Sequence, residues 1–508
     1  MEIVKNRLGH YDMASADVDI LDESLVVIVP DTEPDILQII AAGPLLYVQE
    51  KSCQEGLVKA AGSVNCCISY ISTEGHTPHR INAAVPFSFS RELGNMGEED
   101  RAEVTVKVLS AAASMINPRK VSVKIQVEVF RRVYHKCVQE YAERLISGDD
   151  DGVCSRGDTV DVSLLTGVVS KRIVVGDEIR LDGERLDSSC VIVRTDTLWE
   201  IEDTKIMANK VMVRGHVESR IAAVCGDGSL SCRNRYTIPF SQMIEIDGIT
   251  PDDEAELEYR PLRDEIEITS SSDGGDVMRF TFTAEAQCRV RRRMKISAVR
   301  DAYSIKWESS CAETWLLEGG CRSAALTLPV KETVTLDAGI EKVIDIFVTP
   351  ADAVIKEKER EAGIGFYFTF IGQQADGTPA VCTRRIYAGG EAEEPIGSGG
   401  WCAGECLHPE WELNGEEASV SFEARISRYE SSRRASCVIS DMTVDREKAR
   451  TGGSRASVIV RSADKSDSIW NIAKAYGTYP RVIAAANRMA EDEEIAAGRL
   501  ILIPFAQR

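Results

Sequence analysis

In the segment Val121-Ser-Val-Lys-Ile-Gln-Val-Glu-Val129, every odd-numbered position is apolar and every even-numbered position is polar. A period of two is typical of a β-strand with one buried and one solvated face. The same alternation returns at residues 104–108, 255–259, 266–268, 280–286 and 420–426. Helical periodicity is weak before residue 458. The sequence therefore predicts a mainly β protein built from antiparallel, sandwich-like sheets.

Two parts of the chain repeat each other. Gly62 is followed by Pro86-Phe87-Ser88, and Gly215 by Pro239-Phe240-Ser241, so both landmarks shift by 153 positions. A glycine inside a strand marks a bulge or a close backbone approach, and a proline before an aromatic residue marks an edge strand or the entry to a strand, with the ring then buried. We interpret these residues as fold determinants and not as chemical groups.

A third, degenerate copy is indicated by residues 365–370 and 418–426, although no Pro-Phe pair lies between them. Linkers rich in Gly, Ser and acidic residues separate the segments. The domains are predicted at 1–147, 153–305 and 320–450 for the repeats and at 458–508 for a final module.

The final module follows a different pattern. Apolar residues recur at helical spacing from Ile469 to Tyr476, and Gly477 is suited to end this helix in a left-handed turn. Ser466 or Asp467 is expected to cap the helix, and Pro480 to begin a second one. With apolar strands before and after, the module is predicted as strand, helix, helix, strand.

Composition excludes several classes of function. The chain has 508 residues and a net charge of −21, which disfavours nucleic acid as a partner. No apolar run is long enough to span a membrane, and the first residues lack the apolar core of a secretory signal. Fifteen cysteines occur without a repeated spacing. We expect most of them to be reduced and the protein to be cytoplasmic.

Catalytic motifs are absent from the sequence. It contains no phosphate-binding Gly-rich loop, no Gly-x-Ser-x-Gly elbow and no His-Glu-x-x-His helix. The best metal candidate is the group Cys402, Cys406 and His408, but three residues in a Gly-rich stretch are more typical of a plain loop. We therefore predict no catalytic residue, no metal and no cofactor.

The final module resembles a LysM domain. The resemblance rests on the segment from Ser466 to Lys474, on Tyr476-Gly477-Thr478 and on Ile483, Asn487, Gly498, Leu500, Ile503 and Pro504. It implies a small βααβ fold. Ser466 and Ser468 stand where the family has the Gly and Thr beside its sugar groove.

The upstream repeats, together with Val299-Arg-Asp-Ala-Tyr-Ser304, resemble SPOCS domains of spore-coat assembly proteins. Tandem SPOCS units before a LysM domain are similar to the SipL-type family. This resemblance implies a non-enzymatic coat-assembly adaptor in the mother-cell cytoplasm, at the forespore surface. It also implies that the LysM-like end binds stage IV sporulation protein A, the coat ATPase. A peptidoglycan-binding LysM protein is the alternative.

Five residues of the module are candidate partner contacts. Trp470 lies one position off the apolar helix stripe, so its ring is expected to be partly exposed, and exposed Trp is enriched in binding hot spots. The full set is Asp467, Trp470, Tyr479, Arg481 and Asn487. Residues 458–508 carry a net charge of +1 and the rest of the chain −22, which suits an end that docks where the acidic body would be repelled.

Overall fold

The computed structural model describes residues 1–54, 56–74, 78–94, 96–148, 151–181, 186–188, 190–224, 230–270, 275–318, 322–336, 339–356, 361–375, 379–391, 401–430, 434–450 and 457–504. These residues form twenty-two strands and two short helices, and every strand pair is antiparallel. The predicted mainly β fold class is confirmed. None of the helices in these ranges is long and apolar enough to cross a membrane.

The first unit is a two-sheet sandwich. Its strands are β1 (Glu2–Ile28), β2 (Ile36–Gln54), β3 (Leu57–Ser72), β4 (Pro78–Glu92), β5 (Arg101–Asn117) and β6 (Lys120–Ile146). One sheet has the order β1-β6-β5 and the other β2-β3-β4. The alternating stretch lies on β6, where the side chains of Val121, Val123, Ile125, Val127 and Val129 are at most 1% exposed. The predicted alternation of buried and solvated positions is confirmed.

The second unit repeats this topology. Its strands are β7 (Val153–Arg180), β8 (Val191–Met207), β9 (Lys210–Val224), β10 (Leu230–Glu245), β11 (Glu254–Ser270) and β12 (Asp276–Ser304). The sheets have the orders β7-β12-β11 and β10-β9-β8. A bridge between Tyr11 and Leu165 joins β1 to β7, so the first sheets of the two units continue as one six-stranded sheet.

The third unit has the same strand order, except that each of its two long strands is divided into two shorter strands. Its strands are β13 (Trp307–Glu318), β14 (Arg322–Thr335), β15 (Lys342–Lys356), β16 (Glu361–Gln373), β17 (Pro379–Glu391), β18 (Trp401–Asn414), β19 (Glu417–Glu430) and β20 (Arg434–Ala449). Strand β13 pairs with β20 and strand β14 pairs with β19, in the same way that β1 pairs with β6. The chain ends with β21 (Val458–Ser462), α1 (Ile469–Tyr476), α2 (Pro480–Asn487) and β22 (Leu500–Pro504).

The repeated glycines allow the same close approach between neighbouring strands in both units. A Cβ on Gly62 would lie 2.0 Å from the carbonyl oxygen of Tyr47, and one on Gly215 would lie 2.0 Å from that of Glu200. Each glycine has a bulged strand on one side and an edge strand on the other. On the edge strand, Gly62 pairs with the buried Phe87 and Gly215 pairs with the buried Phe240. The predicted close approach is confirmed, as is the position of the Pro-Phe pairs on edge strands.

A buried ion cluster fills the contact between the first two units. Glu103 on β5 accepts hydrogen bonds from Nη1 of Arg289 on β12 at 2.8 Å and from Nη1 of Arg132 at 3.3 Å. The Tyr134 hydroxyl donates to the same carboxylate at 3.0 Å, and burial raises the pKa of Tyr134 and keeps it protonated. Since a buried charge is tolerated only with partners, this cluster fixes how the two units pack.

Most described cysteines are free thiols, as expected. Burial raises the pKa of Cys66 to about 11 and that of Cys288 to about 12, so both remain neutral. Cys190 departs from the expectation, because it is disulfide-bonded.

Candidate functional site

The LysM-like module forms as two strands and two helices. The Ser468 hydroxyl accepts the amide hydrogen of Asn471 at 3.1 Å and caps α1, so the expected cap at Ser466 or Asp467 is wrong. The Asp467 carboxylate accepts instead from the Asp464 amide and from Nη2 of Arg461, both at 2.9 Å. This bonding holds the turn before the helix.

The other helix signals act as predicted. Gly477 ends α1 with a φ of 65°, and Pro480 is the first residue of α2. The described core consists mainly of buried aliphatic residues from both helices, from the loop after α2 and from β22: Ile469, Ile472, Ala473, Ile483, Ala484, Ile495, Ile501 and Ile503. Tyr476 packs at its edge.

The module completes its core with a residue from the second unit. Tyr303, at the end of β12, is buried in the same cluster and donates its hydroxyl hydrogen to the carbonyl of Thr478 at 2.8 Å. Burial raises the pKa of Tyr303, so the hydroxyl remains a donor. Its ring meets the Trp470 ring edge-on, with centroids 5.1 Å apart. The module is therefore packed against β12.

A carboxylate strengthens this junction. Asp301 accepts the indole hydrogen of Trp470 at 2.8 Å and lies 2.7 Å from the ammonium nitrogen of Lys474. Arg450, which follows β20, donates to the carbonyl oxygens of Ser304 and Lys474. Asp301 and Tyr303 both belong to the stretch 299–304 that contributed to the SPOCS resemblance. Three parts of the chain thus meet at one end of β12.

The five predicted contact residues do not form one surface. Trp470 is half-buried at the junction with β12, and Asp467 stabilises the turn before α1. Asn487 binds β22, because its amide hydrogen and its carbonyl oxygen pair with the main chain of Leu502 at 2.7 and 2.8 Å. Arg481 is exposed and lies over the Tyr479 ring at 4.9 Å.

An exposed apolar face on β21 and β22 was not predicted. Its side chains are Val458, Val460, Leu500 and Leu502, which are 49%, 56%, 66% and 42% exposed. We call these four residues the outer face. The sequence carried a signal for it, because Val458-Ile-Val460 and Leu500-Ile-Leu502 are apolar at every position and not only at alternate ones. A strand of a small surface module needs just one apolar face for its own core.

The Cys402, Cys406 and His408 group is not assembled as a site among the described side chains. Cys406 packs against the core of the third unit, and burial raises its pKa to about 12, which disfavours the thiolate that binds metal. The side chain of Cys402 lies outside the described residues. His408 faces the second unit instead.

Two family models match the chain. The model described as SipL, SPOCS domain, matches residues 191–268, which run from the start of β8 into β11, and the LysM domain model matches residues 464–504. No curated protein and no solved structure matches the chain significantly. Both matched domains are non-catalytic binding domains, and together they support a sporulation- or envelope-associated protein. The chain therefore carries a SPOCS domain of the SipL kind and a C-terminal LysM domain, the combination found in the SipL-type architecture.

Proposed function

We propose that this protein is a non-enzymatic adaptor of spore-envelope assembly. Three SPOCS-like sheet units, at 1–147, 153–305 and 320–450, serve as its scaffold. The LysM domain recruits a partner, a coat ATPase similar to stage IV sporulation protein A, in the mother-cell cytoplasm at the forespore surface. The shared strand order of the three units and the two domain matches support this proposal.

The observation that carries the proposal is the orientation of the LysM domain. Asp301 and Tyr303 hold the α1 side against the second unit, whereas the outer face on β21 and β22 is exposed. A module fixed on one side presents a defined surface on the other, which is what a recruiting domain requires. Exposed, clustered aliphatic side chains are typical of protein–protein contacts.

The partner contact is therefore proposed at the outer face. The start of α2 adjoins it, because the Thr478 hydroxyl donates to the carbonyl of Pro504, which pairs with Val458. Of the candidate contacts, Tyr479 and Arg481 lie at this start of α2. Asp467 and Asn487 contribute by holding the module's shape, and Trp470 by fixing its orientation.

Co-purification with the coat ATPase tests the proposal. We expect the variant V460E/L502E to lose at least tenfold in recovered partner, because burying two carboxylates in an apolar contact is costly. The matched control is V18E/I20E, which places the same charges on two exposed aliphatic positions of β1 and should recover as much partner as the unaltered chain.

Equal recovery with V460E/L502E and with the control would refute the outer face as the contact. Measurable pull-down of the full chain by purified cell wall would favour the peptidoglycan-binding alternative. The structure gives one reason to expect weak binding there: the Ser468 hydroxyl, at a position next to the family's sugar groove by resemblance, is occupied by helix capping.

A further inference from the structure

Strand β1 has one open side in the first unit. It pairs with β6 along its whole length, whereas its other side makes one described bridge, between Tyr11 and Leu165 of β7. From Ser15 to Ile28 the register with β6 is continuous, and no described strand is paired on the other side. Every second residue of an antiparallel strand directs its N–H and C=O away from its partner. We call residues 15–28 of β1 the open edge.

The core behind the open edge is incompletely covered. Leu21, Leu25 and Val27 face the core of the first unit but are only partly buried. On the neighbouring β6, the core-facing residues from Val121 to Val129 are at most 1% exposed. A further strand beside β1 would remove the remaining apolar surface from water, which is favourable. The packing of the first sandwich therefore favours extension by one more strand.

The open edge lacks features that usually prevent strand addition. Natural edge strands are often protected by prolines, by lysines or by bulges. Three other edge strands of this protein carry a proline: Pro86 in β4, Pro239 in β10 and Pro329 in β14. The open edge contains no proline, no lysine and no shift of register. Its main chain is therefore accessible to a strand from outside.

The charge of the open edge is entirely negative. Residues 15–28 include Asp17, Asp19, Asp22 and Glu23 but no Lys or Arg. Two arginines of the first unit pair with Asp19. In the part of the chain that the structure describes, the other three carboxylates form no ion pair. Three uncompensated negative charges thus lie beside the unpaired main chain, and a positively charged strand would compensate them.

The same charges disfavour a second copy of this chain as the occupant. If two copies of the open edge paired antiparallel, the registers with the greatest overlap would place either Asp22 opposite its counterpart or Asp19 opposite Glu23 twice. A parallel pairing in register would bring every carboxylate beside its counterpart. Like charges directly opposite each other destabilise a sheet. The acidic side chains therefore protect the edge against self-association and favour a cationic partner.

We propose that the open edge binds an extended, basic segment of another protein by strand addition. Four exposed aliphatic side chains lie on the solvent side of the edge, two on each side of Asp22: Val18, Ile20, Val26 and Ile28. A fitting segment carries apolar side chains toward both ends and Lys or Arg in its middle, opposite Asp22 and Glu23. Main-chain hydrogen bonds supply the affinity in this mode of recognition, and alternate side chains supply the specificity. This partner is distinct from the one proposed for the LysM domain.

A synthetic peptide tests the proposal on the full chain. The probe is acetyl-VTVLTKKVVTVR-amide with a fluorescent label, whose lysines lie opposite Asp22 and Glu23 in the antiparallel register. Binding is measured by fluorescence anisotropy, and hydrogen exchange is followed by mass spectrometry. We expect saturable binding, with slower amide exchange within residues 15–28. The variant D22K/E23K should bind about tenfold more weakly, because two attractive cross-strand pairs become repulsive. The matched control is D177K/E178K, which makes the same change on exposed residues of β7 and should bind as the unaltered chain does.

Two methylated peptides separate strand addition from general attraction to an acidic protein. Each carries N-methyl groups on one of the two alternating sets of main-chain nitrogens, so the charge is the same and only one peptide loses the hydrogen bonds toward β1. We expect one of them to lose binding and the other to keep it. Equal binding of the two, or unchanged exchange within residues 15–28, would overturn the proposal. Protection of residues 15–28 that grows with protein concentration in the absence of peptide would also overturn it, because it would assign the edge to a second copy.

Discussion

Replacing Gly215 by alanine tests the packing of the repeated units. The new Cβ would lie 2.0 Å from the carbonyl oxygen of Glu200 and 3.0 Å from Cζ of Phe240. Carbon and oxygen atoms of neighbouring strands normally stay about 3.3 Å apart or more. The obstacle is main chain and not a flexible side chain, so β8 must move by roughly 1 Å away from β9.

The expected cost follows from this movement. Overpacking a tight core costs about 1–3 kcal/mol, and a backbone obstacle places Gly215→Ala at the upper end, near 3 kcal/mol. For a unit of about 150–250 residues each kcal/mol shifts Tm by roughly 2–4 °C. We therefore expect the melting transition that reports the second unit to fall by about 6–12 °C.

Thermal unfolding followed by circular dichroism and calorimetry measures this shift. Gly62→Ala should give a similar loss, because its Cβ meets the Tyr47 oxygen at the same 2.0 Å. Gly9→Ala is the matched control, since a Cβ there has no heavy atom within 4 Å. A Tm for Gly215→Ala within about 1 °C of the unaltered chain, or an equal loss for Gly9→Ala, would refute the reasoning.

Three further changes probe other parts of the molecule. Asp301→Ala removes the carboxylate that accepts from Trp470 and Lys474, which should weaken the packing of the LysM domain by about 1 kcal/mol. We expect a protease to release the module several-fold faster from this variant. Asp441→Ala is the control, because it breaks only an exposed ion pair and should not change the rate. Glu103→Ala removes the carboxylate that the guanidinium groups of Arg132 and Arg289 share, but Glu256 and Glu258 still pair with Arg289. The loss in denaturant unfolding should therefore lie near about 3 kcal/mol, the lower end for a broken buried ion pair, and a loss below about 1 kcal/mol would contradict the cluster's role. Burial raises the pKa of Asp264 to about 6, so its charged form costs stability above pH 6 and less as the pH falls toward 4. Asp264→Asn should therefore raise Tm at pH 7.5 by several degrees and by clearly less at pH 4.5, and an equal gain at both pH values would count against this assignment.

Local periodicity predicted the sheets well. The alternation at residues 121–129 identified which side chains of β6 face the core, because strand geometry alone decides that. The Gly and Pro-Phe landmarks predicted a close approach and an edge strand for the same reason. The third unit lacks the Pro-Phe pair, and its central strand β16 buries three aromatic rings of its own, those of Phe366, Phe368 and Phe370.

Contacts between units could not be predicted in this way. The sequence places Trp470 off the core stripe of α1, but its neighbours Asp301 and Tyr303 come from a strand far away in the sequence. The sequence groups His408 with the nearby Cys406, yet a bulge in β18 turns it toward Glu200. Periodicity predicts which face of an element is buried, but it does not predict which distant element covers that face.

The anchoring of the LysM domain at the end of β12 has a mechanical consequence. Strand β12 is hydrogen-bonded to β7 on one side and to β11 on the other, from Val277 to the end of the strand on the β7 side. If a partner pulled on the domain along β12, the force would be shared by the many hydrogen bonds that join β12 to β7 and β11. These bonds would then have to break together and not one after another. Tension would thereby reach the second unit directly through β12.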